Sequence, residues 1–457
     1  MPSTFFHQLH LSLIYEIDAF ENRLNELRAG DYPTSAADSL ITYLIGDLEQ
    51  QRVRIGKIVN DLPSDPRGAF DRLSSEHRKL IYQLPLLVNL ENSQTRRVPW
   101  SFVPSIEALA QLLLEEYVVL TSTDAELNYS ITWTRKPASN KKPYAVLFVP
   151  AIHRIDAFLH VLIGHELFHP VLDAFLENQQ SAVLSQLRGL CQQHLKGQPS
   201  IVPLFEKQRL DRMIETVRFI WRRALEELMC DMGGAAIFGP AALLASMNFF
   251  LSTHFDAVPA YPEYYPPFRY RLRVMLDHPF RDDWGKRALE DLLKLLGSEP
   301  TLGGVARSFK QYWDMLQSEA AKTTDVAAID SDVCSKIAYS QVNPLLDSAW
   351  DYVKSRIGTS GLPWIVSYKE VPSCLRDLQA FVPCGELRGS GAEVGPPTSI
   401  SAIALAAWLN QLHEHTAMIA SASDAVKKYI RACRLFLKSL EDSQLKRVFA
   451  KSAVADC

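Results

Sequence analysis

The stretch RIDAFLHVLIGHELFH, residues 154–169, decides how the rest of the chain is read. It holds no proline, and its apolar residues run nearly all round a helical wheel, the pattern of a helix buried on every side. It ends in His165-Glu166-Leu167-Phe168-His169, which is H-E-x-x-H. On a helix, positions i and i+4 lie one above the other. Two imidazoles so placed can bind one Zn²⁺, with the intervening glutamate beside the attacking water. Burying two imidazoles and a carboxylate is costly unless they are paired or coordinated. With 12 His in 457 residues, composition alone yields such a pattern in roughly 2 of 100 chains, so the motif needs support from its surroundings. On the wheel His169 falls about 40° from His165 and His160 about 140° away, so His160 is not a third ligand from this helix. Reading His165 and His169 as satisfied core histidines leaves Glu166 without a purpose.

A catalytic zinc needs a third protein ligand and one open position. Downstream runs DRMIETVRFIWRRALEELMCDMGGAAIFG, residues 211–239. Its apolar positions Met213, Val217, Ile220, Trp221, Ala224, Leu225, Leu228 and Met232 form a helical stripe, and Gly233-Gly234 is expected to loosen the helix end. With Leu228 at the stripe centre, Asp231 lies about 60° off, Glu227 about 100° and Glu226 about 160°. The wheel therefore selects Glu227 as the ligand and sends Glu226 to solvent. Asp231, one turn after Glu227, is placed to accept a hydrogen bond from the far nitrogen of a ligand histidine. Cys230 is read as packing. The plain alternative is an acidic edge on an amphipathic helix.

His165, Glu166 and His169, followed by Glu227 and Asp231 as E-x-x-x-D, resemble the gluzincin branch of zinc metallopeptidases. The resemblance covers roughly residues 145–235. It implies Zn²⁺ held by His165, His169 and Glu227, Glu166 as general base and acid, Asp231 as the supporting carboxylate, and a protein or peptide substrate. Two departures stand out. His169 and Glu227 are separated by a long spacer holding further helical sequence, SAVLSQLRGLCQQHL, and Pro170 directly follows the second histidine, where a helix bends or ends. Such enzymes also need a donor for the oxyanion formed on attack. The segment HFDAVPAYPEYYPPFRYRLRVM, residues 254–275, is dense in Pro, Tyr and Arg. Within it Tyr265 is the first candidate, with His254 and Arg269 behind it.

Seven cysteines without C-x-x-C spacing point to reduced thiols and a cytoplasmic setting. A net charge of −4 argues against a nucleic-acid partner. The N-terminus lacks the basic start and cleavage site of a signal peptide, and the longest apolar run, residues 241–252, is too short to span a bilayer, so no membrane partner is expected.

The expected architecture is α+β and mostly helical: a zincin-like catalytic core, small sheet plus active-site helices, between helical N- and C-terminal regions. Residues 1–100 read as a helical region, with Ser35 before a long helix and Pro63, Pro66 and Gly68 breaking the pattern. Residues 101–280 read as the metallopeptidase core. YVVLTST, LNYSITW and PYAVLFVP are three strands just before the motif, and an edge strand there could pair with an extended peptide. Residues 281–457 read as a helical region with a loop-rich segment at 357–398. The competing expectation is a catalytically inactive zincin-like helical interaction protein with a structural metal site, which has no use for Glu166. A third is H-E-x-x-H by coincidence in a helical scaffold.

Overall fold

In a computed structural model of the chain, all residues are described except 1–2, 62–63, 127, 135–142, 197–202, 251–263, 323–331, 361–367, 385–397, 418–421 and 456–457. The described residues are mostly helical, with one three-stranded mixed sheet. They form two compact units, residues 1–111 with 115–154, and 112–114 with 155–457.

The first unit holds α1 (Ser3–Arg28), α2 (Ala36–Asp61), α3 (Pro66–Gln83), α4 (Pro85–Asn92) and most of α5 (Val103–Leu113), then β1 (Val118–Asp124), β2 (Ser130–Trp133) and β3 (Tyr144–Pro150). Pro66 opens α3 under an Asp65 cap whose side chain accepts from the Gly68 N–H, so the expected breakpoint is a helix start. The strand order is β1-β3-β2, with β3 parallel to β1 and antiparallel to β2. Leu120 of β1 and Val146 of β3 join the core that α1 to α4 build from Leu13, Ile17, Leu40, Leu44 and Leu90. The sheet thus shares its core with the N-terminal helices, whereas the sequence grouped it with the motif. Glu107 of α5 ties that helix to its neighbours by accepting from the Thr34 hydroxyl and, at 3.2 Å, from the Thr121 N–H.

The second unit begins with the motif. Short 3₁₀ turns cover Ala151–His153 (still in the first unit) and Leu159–Leu162, and the α-helical part α6 is only Ile163–Glu166. The single helix expected over 154–169 is therefore broken. Leu167 and Phe168 form a turn, and α7 (His169–Lys196) starts at the second histidine, with Pro170 in its first turn. Proline has no N–H to return to the Glu166 carbonyl but fits a helix start without loss.

Next come α8 (Pro203–Phe238), α9 (Pro240–Phe250), α10 (Phe268–Asp277), α11 (Asp283–Ser298), α12 (Gly303–Ala321), α13 (Val333–Val342), α14 (Leu346–Ser360), α15 (Val371–Gln379), α16 (Ile400–Ala417) and α17 (Ala422–Ala455). α15 lies inside the segment read as loop-rich and is largely buried. α8 is the axis of the unit: α6, α7, α9, α10, α13, α14 and α16 all pack on it. Every residue from 227 to 247 is buried, so the last third of α8 has no solvent face. Gly233-Gly234 does not loosen the helix, which runs on to Phe238. It ends at Gly239, whose φ of 60° and N–H to the Ala235 carbonyl (2.8 Å) make the left-handed stop that glycine takes most easily. Among the described residues no helix is long and apolar enough to cross a membrane.

Candidate metal centre

Three glycines bring the motif onto α8. A Cβ on Gly164 would sit 2.7 Å from the Phe238 ring, one on Gly233 2.2 Å from the Phe168 ring, and one on Gly234 3.0 Å from the main-chain nitrogen of His165. Contacts this short allow no side chain, so α6 lies against the backbone of α8 with His165 facing its acidic residues. The two imidazoles stand edge to face, ring centroids 5.2 Å apart.

Each imidazole is gripped through Nδ1 by a carboxylate from α8: His165 by Asp231 at 2.9 Å and His169 by Glu226 at 2.8 Å. The other nitrogens meet Glu166, whose carboxylate oxygens lie 3.9 Å from His165 Nε2 and 3.7 Å from His169 Nε2. Glu227 Oε2 lies 3.3 Å from His165 Nε2. Arg271 of α10 grips Asp231 through two nitrogens, at 2.7 and 2.8 Å, and reaches Glu227 at 3.5 Å. Arg223, one turn before Glu227 on α8, lies 3.1 Å from its other oxygen.

Burial alone disfavours every one of these charges, and the pairings decide which survive. Burial works against the charged form of His165, but hydrogen bonds to Asp231 and Glu227 outweigh it and push the imidazole up to about 10. Burial would raise Glu227, yet His165, Arg271 and Arg223 hold it well below the carboxylate range. For Asp231 the same opposing burial is overcome chiefly by Arg271, and the carboxyl is lowered. Glu166 goes the other way: burial, aided by Glu227, raises it despite both imidazoles.

Two readings of α8 need correction. Glu226 was sent to solvent by the wheel, but it holds His169 with its side chain 15% exposed. Cys230 was read as packing, but His165, His169 and Cys230 each offer a ligand atom within 4.8 Å of the others, a buried group that could hold a metal ion. Burial and the surrounding carboxylates keep the Cys230 thiol well above its ordinary pKa. Both errors share one cause. A wheel centred on an apolar stripe presumes an open solvent side, and α8 is enclosed from Glu227 onward and only partly open at Glu226.

The oxyanion-donor candidates separate. His254 lies outside the described residues. Arg269 is engaged by Glu319 of α12, through both its side chain and its main-chain carbonyl. Tyr265 stands before Pro266-Pro267, next to Tyr264 at a strained φ of 51°. Its hydroxyl accepts from Arg223, whose guanidinium lies 4.6 Å above its ring, so Tyr265 is one residue removed from Glu227. Arg223 and Arg271 went unassigned at the sequence level. A signal existed for Arg271: it lies among apolar residues of α10, and a guanidinium buried there requires a carboxylate.

Comparison with protein-family models, with curated proteins and with solved structures finds no match to this chain.

Proposed function

We propose that this chain is a zinc-dependent peptidase of gluzincin type with a zincin-like core, its Zn²⁺ held by His165, His169 and Glu227. The observation that carries this reading is the orientation of the two imidazoles. Both are held at Nδ1 by carboxylates while both Nε2 atoms face Glu166, and ligand histidines are commonly fixed through their other ring nitrogen in this way. Charge supports it too. Glu166, Glu226, Glu227 and Asp231 are four carboxylates against the two guanidiniums of Arg223 and Arg271. With neutral imidazoles the balance is that of one divalent cation.

Zinc bound there would polarise a scissile carbonyl and make a water more acidic. Glu166 takes the proton of the attacking water and passes it to the leaving amine. Asp231 and Glu226 keep the imidazoles turned inward. Arg271 fixes Asp231, and Tyr265 offers the hydroxyl for the developing oxyanion, with a protein or peptide as substrate. Metal analysis by mass spectrometry should find one zinc per chain in the wild type and none in His165→Ala; equal zinc in both sinks the reading. Proteome-wide cleavage profiling supplies a substrate. On it, Glu166→Gln should keep zinc and lose activity by about 10²–10⁴-fold, and Tyr265→Phe should lower kcat by about 10²–10³-fold at unchanged zinc.

A second reading has its own observation. Cys230 completes a buried group with the two histidines, while Glu227 is held by two arginines. A metal on His165, His169 and Cys230 would be structural, in a zincin-like helical interaction protein without turnover. The peptidase reading expects Cys230→Ser to retain zinc and Glu227→Gln to lose it. The structural reading expects the reverse, with no hydrolysis by any form.

A further inference from the structure

Two of the seven cysteines meet in the second unit, outside the histidine cluster. Cys374 lies on α15 and Cys384 in the turn that follows, and both are free, buried thiols. The turn is strained. Phe381 adopts a φ of 60°, the left-handed region that a bulky L-residue rarely enters. The Phe381 N–H donates to the Leu378 carbonyl at 3.0 Å and the Val382 N–H to the Asp377 carbonyl at 2.8 Å. The Arg431 guanidinium of α17 lies 3.8 Å over the Phe381 ring. The reversed chain then places Cys384 back against α15. Its N–H donates to the Ser439 hydroxyl of α17 at 2.8 Å, and its thiol donates to the Cys374 carbonyl at 3.5 Å. The neighbouring Cys384 thiol and burial raise Cys374 far above the ordinary thiol range. Among the described residues, the group of side chains that could hold a metal is the histidine cluster and not this pair.

We propose that Cys374 and Cys384 are a reversible dithiol–disulfide pair, oxidised by a small-molecule disulfide such as glutathione disulfide. One thiolate attacks a glutathione sulfur, the glutathione S–S bond breaks, and one glutathione thiolate leaves. The second protein thiolate then attacks the protein sulfur of the mixed disulfide, closing the Cys374–Cys384 bond and releasing the second glutathione. Two electrons pass from the protein thiols to the glutathione sulfurs, and the two thiol protons end on the glutathione released. Because both thiols are buried, the attacking thiolate forms when the turn opens, so the oxidation rate follows that opening. The closed bond ties the strained turn to α15, the helix that packs on α16.

The test uses the full chain equilibrated in glutathione buffers of increasing oxidation, with and without about 1–2 M urea to promote opening, then quenched, alkylated and digested with trypsin. Cys374 and Cys384 fall in separate tryptic peptides, 370–376 and 377–388. The expected result is those two peptides joined, about 2 Da lighter than their sum, with a loss of two titratable thiols that dithiothreitol restores. Cys374→Ser and Cys384→Ser should each abolish the link and leave a glutathione adduct on the remaining thiol. If both residues stay free, carry separate adducts, or link to another cysteine at full oxidation in either buffer, the pairing is overturned.

Discussion

Glu107 and Glu227 are carboxylates drawn out of water, one in each compact unit, and they respond in opposite directions. Glu107 has neutral donors, the Thr34 hydroxyl and the Thr121 N–H. Burial wins over them and pushes its carboxyl up to about 7. Glu227 is more deeply buried, yet His165, Arg271 and Arg223 hold it well below the carboxylate range. The magnitudes explain the difference. A neutral hydrogen bond contributes about 1 kcal/mol net, less than the cost of desolvating a carboxylate. A unit charge at about 3.5 Å contributes roughly 5 kcal/mol even at an effective dielectric of 20. The first unit therefore buries an acid it tends to neutralise. The second keeps a set of buried charges by pairing them with one another.

The contrast can be broken most strongly at Arg271. Arg271→Ala leaves Asp231 with His165 as its remaining partner and removes one of the cations facing Glu227, and should cost about 3–5 kcal/mol in urea unfolding. Arg271→Lys should cost less, since it keeps the charge but not the two-point grip. A loss below about 1 kcal/mol for the alanine variant would mean that pairing is not what keeps these carboxylates charged.

The next effect is at Glu107, and its sign follows from the raised pKa. The folded state holds the Glu107 proton more tightly than the unfolded chain, so this stabilisation is full below about pH 4.5 and lost as pH rises through about 7. Glu107→Gln cannot titrate. It should match the wild type near pH 4.5 and exceed it by up to about 3 kcal/mol at pH 8, read from hydrogen exchange of the β1 amides. A pH-independent difference would remove Glu107 as the cause.

Smaller effects sharpen the picture within the cluster. Asp231→Asn should weaken zinc affinity by about 10- to 100-fold, measured by competition with a chelating dye. Glu226→Gln should do the same to a lesser extent, several-fold by the same supporting effect, because its side chain is more exposed than that of Asp231. Were Glu226→Ala to lower zinc binding more than Glu227→Ala, Glu226 rather than Glu227 would be the ligand.

Much was legible because it depends on neighbours in the chain. The strands at 118–124, 130–133 and 144–150 announce themselves by β-branched and aromatic residues between polar turns, and α2 by Ser35 just before it. His165, Glu166 and His169 are legible because a four-residue spacing brings two imidazoles together even across the break that Pro170 imposes. The helix expected over 154–169 failed in two places: residues 154–162 form turns and a 3₁₀ segment, and the last turn breaks at Leu167-Phe168, where Pro170 has no N–H to return to the Glu166 carbonyl.

What the sequence by itself determined is the mostly helical class, the positions of most elements and a set of candidate ligands that left Cys230 out. Only the tertiary structure decided which of those residues meet. Cys230 enters the cluster because α8 is enclosed by other helices there, and Glu226 enters because α7 brings His169 against it. Arg271 enters because α10 packs on α8 at the level of Asp231. Gly233 and Gly234 read as a loosened helix end, and with Gly164 they become the surface of contact between α6 and α8 because each leaves room where a Cβ would collide. Helical periodicity records which residues share a face, but what lies opposite that face is settled by packing between segments far apart in the chain.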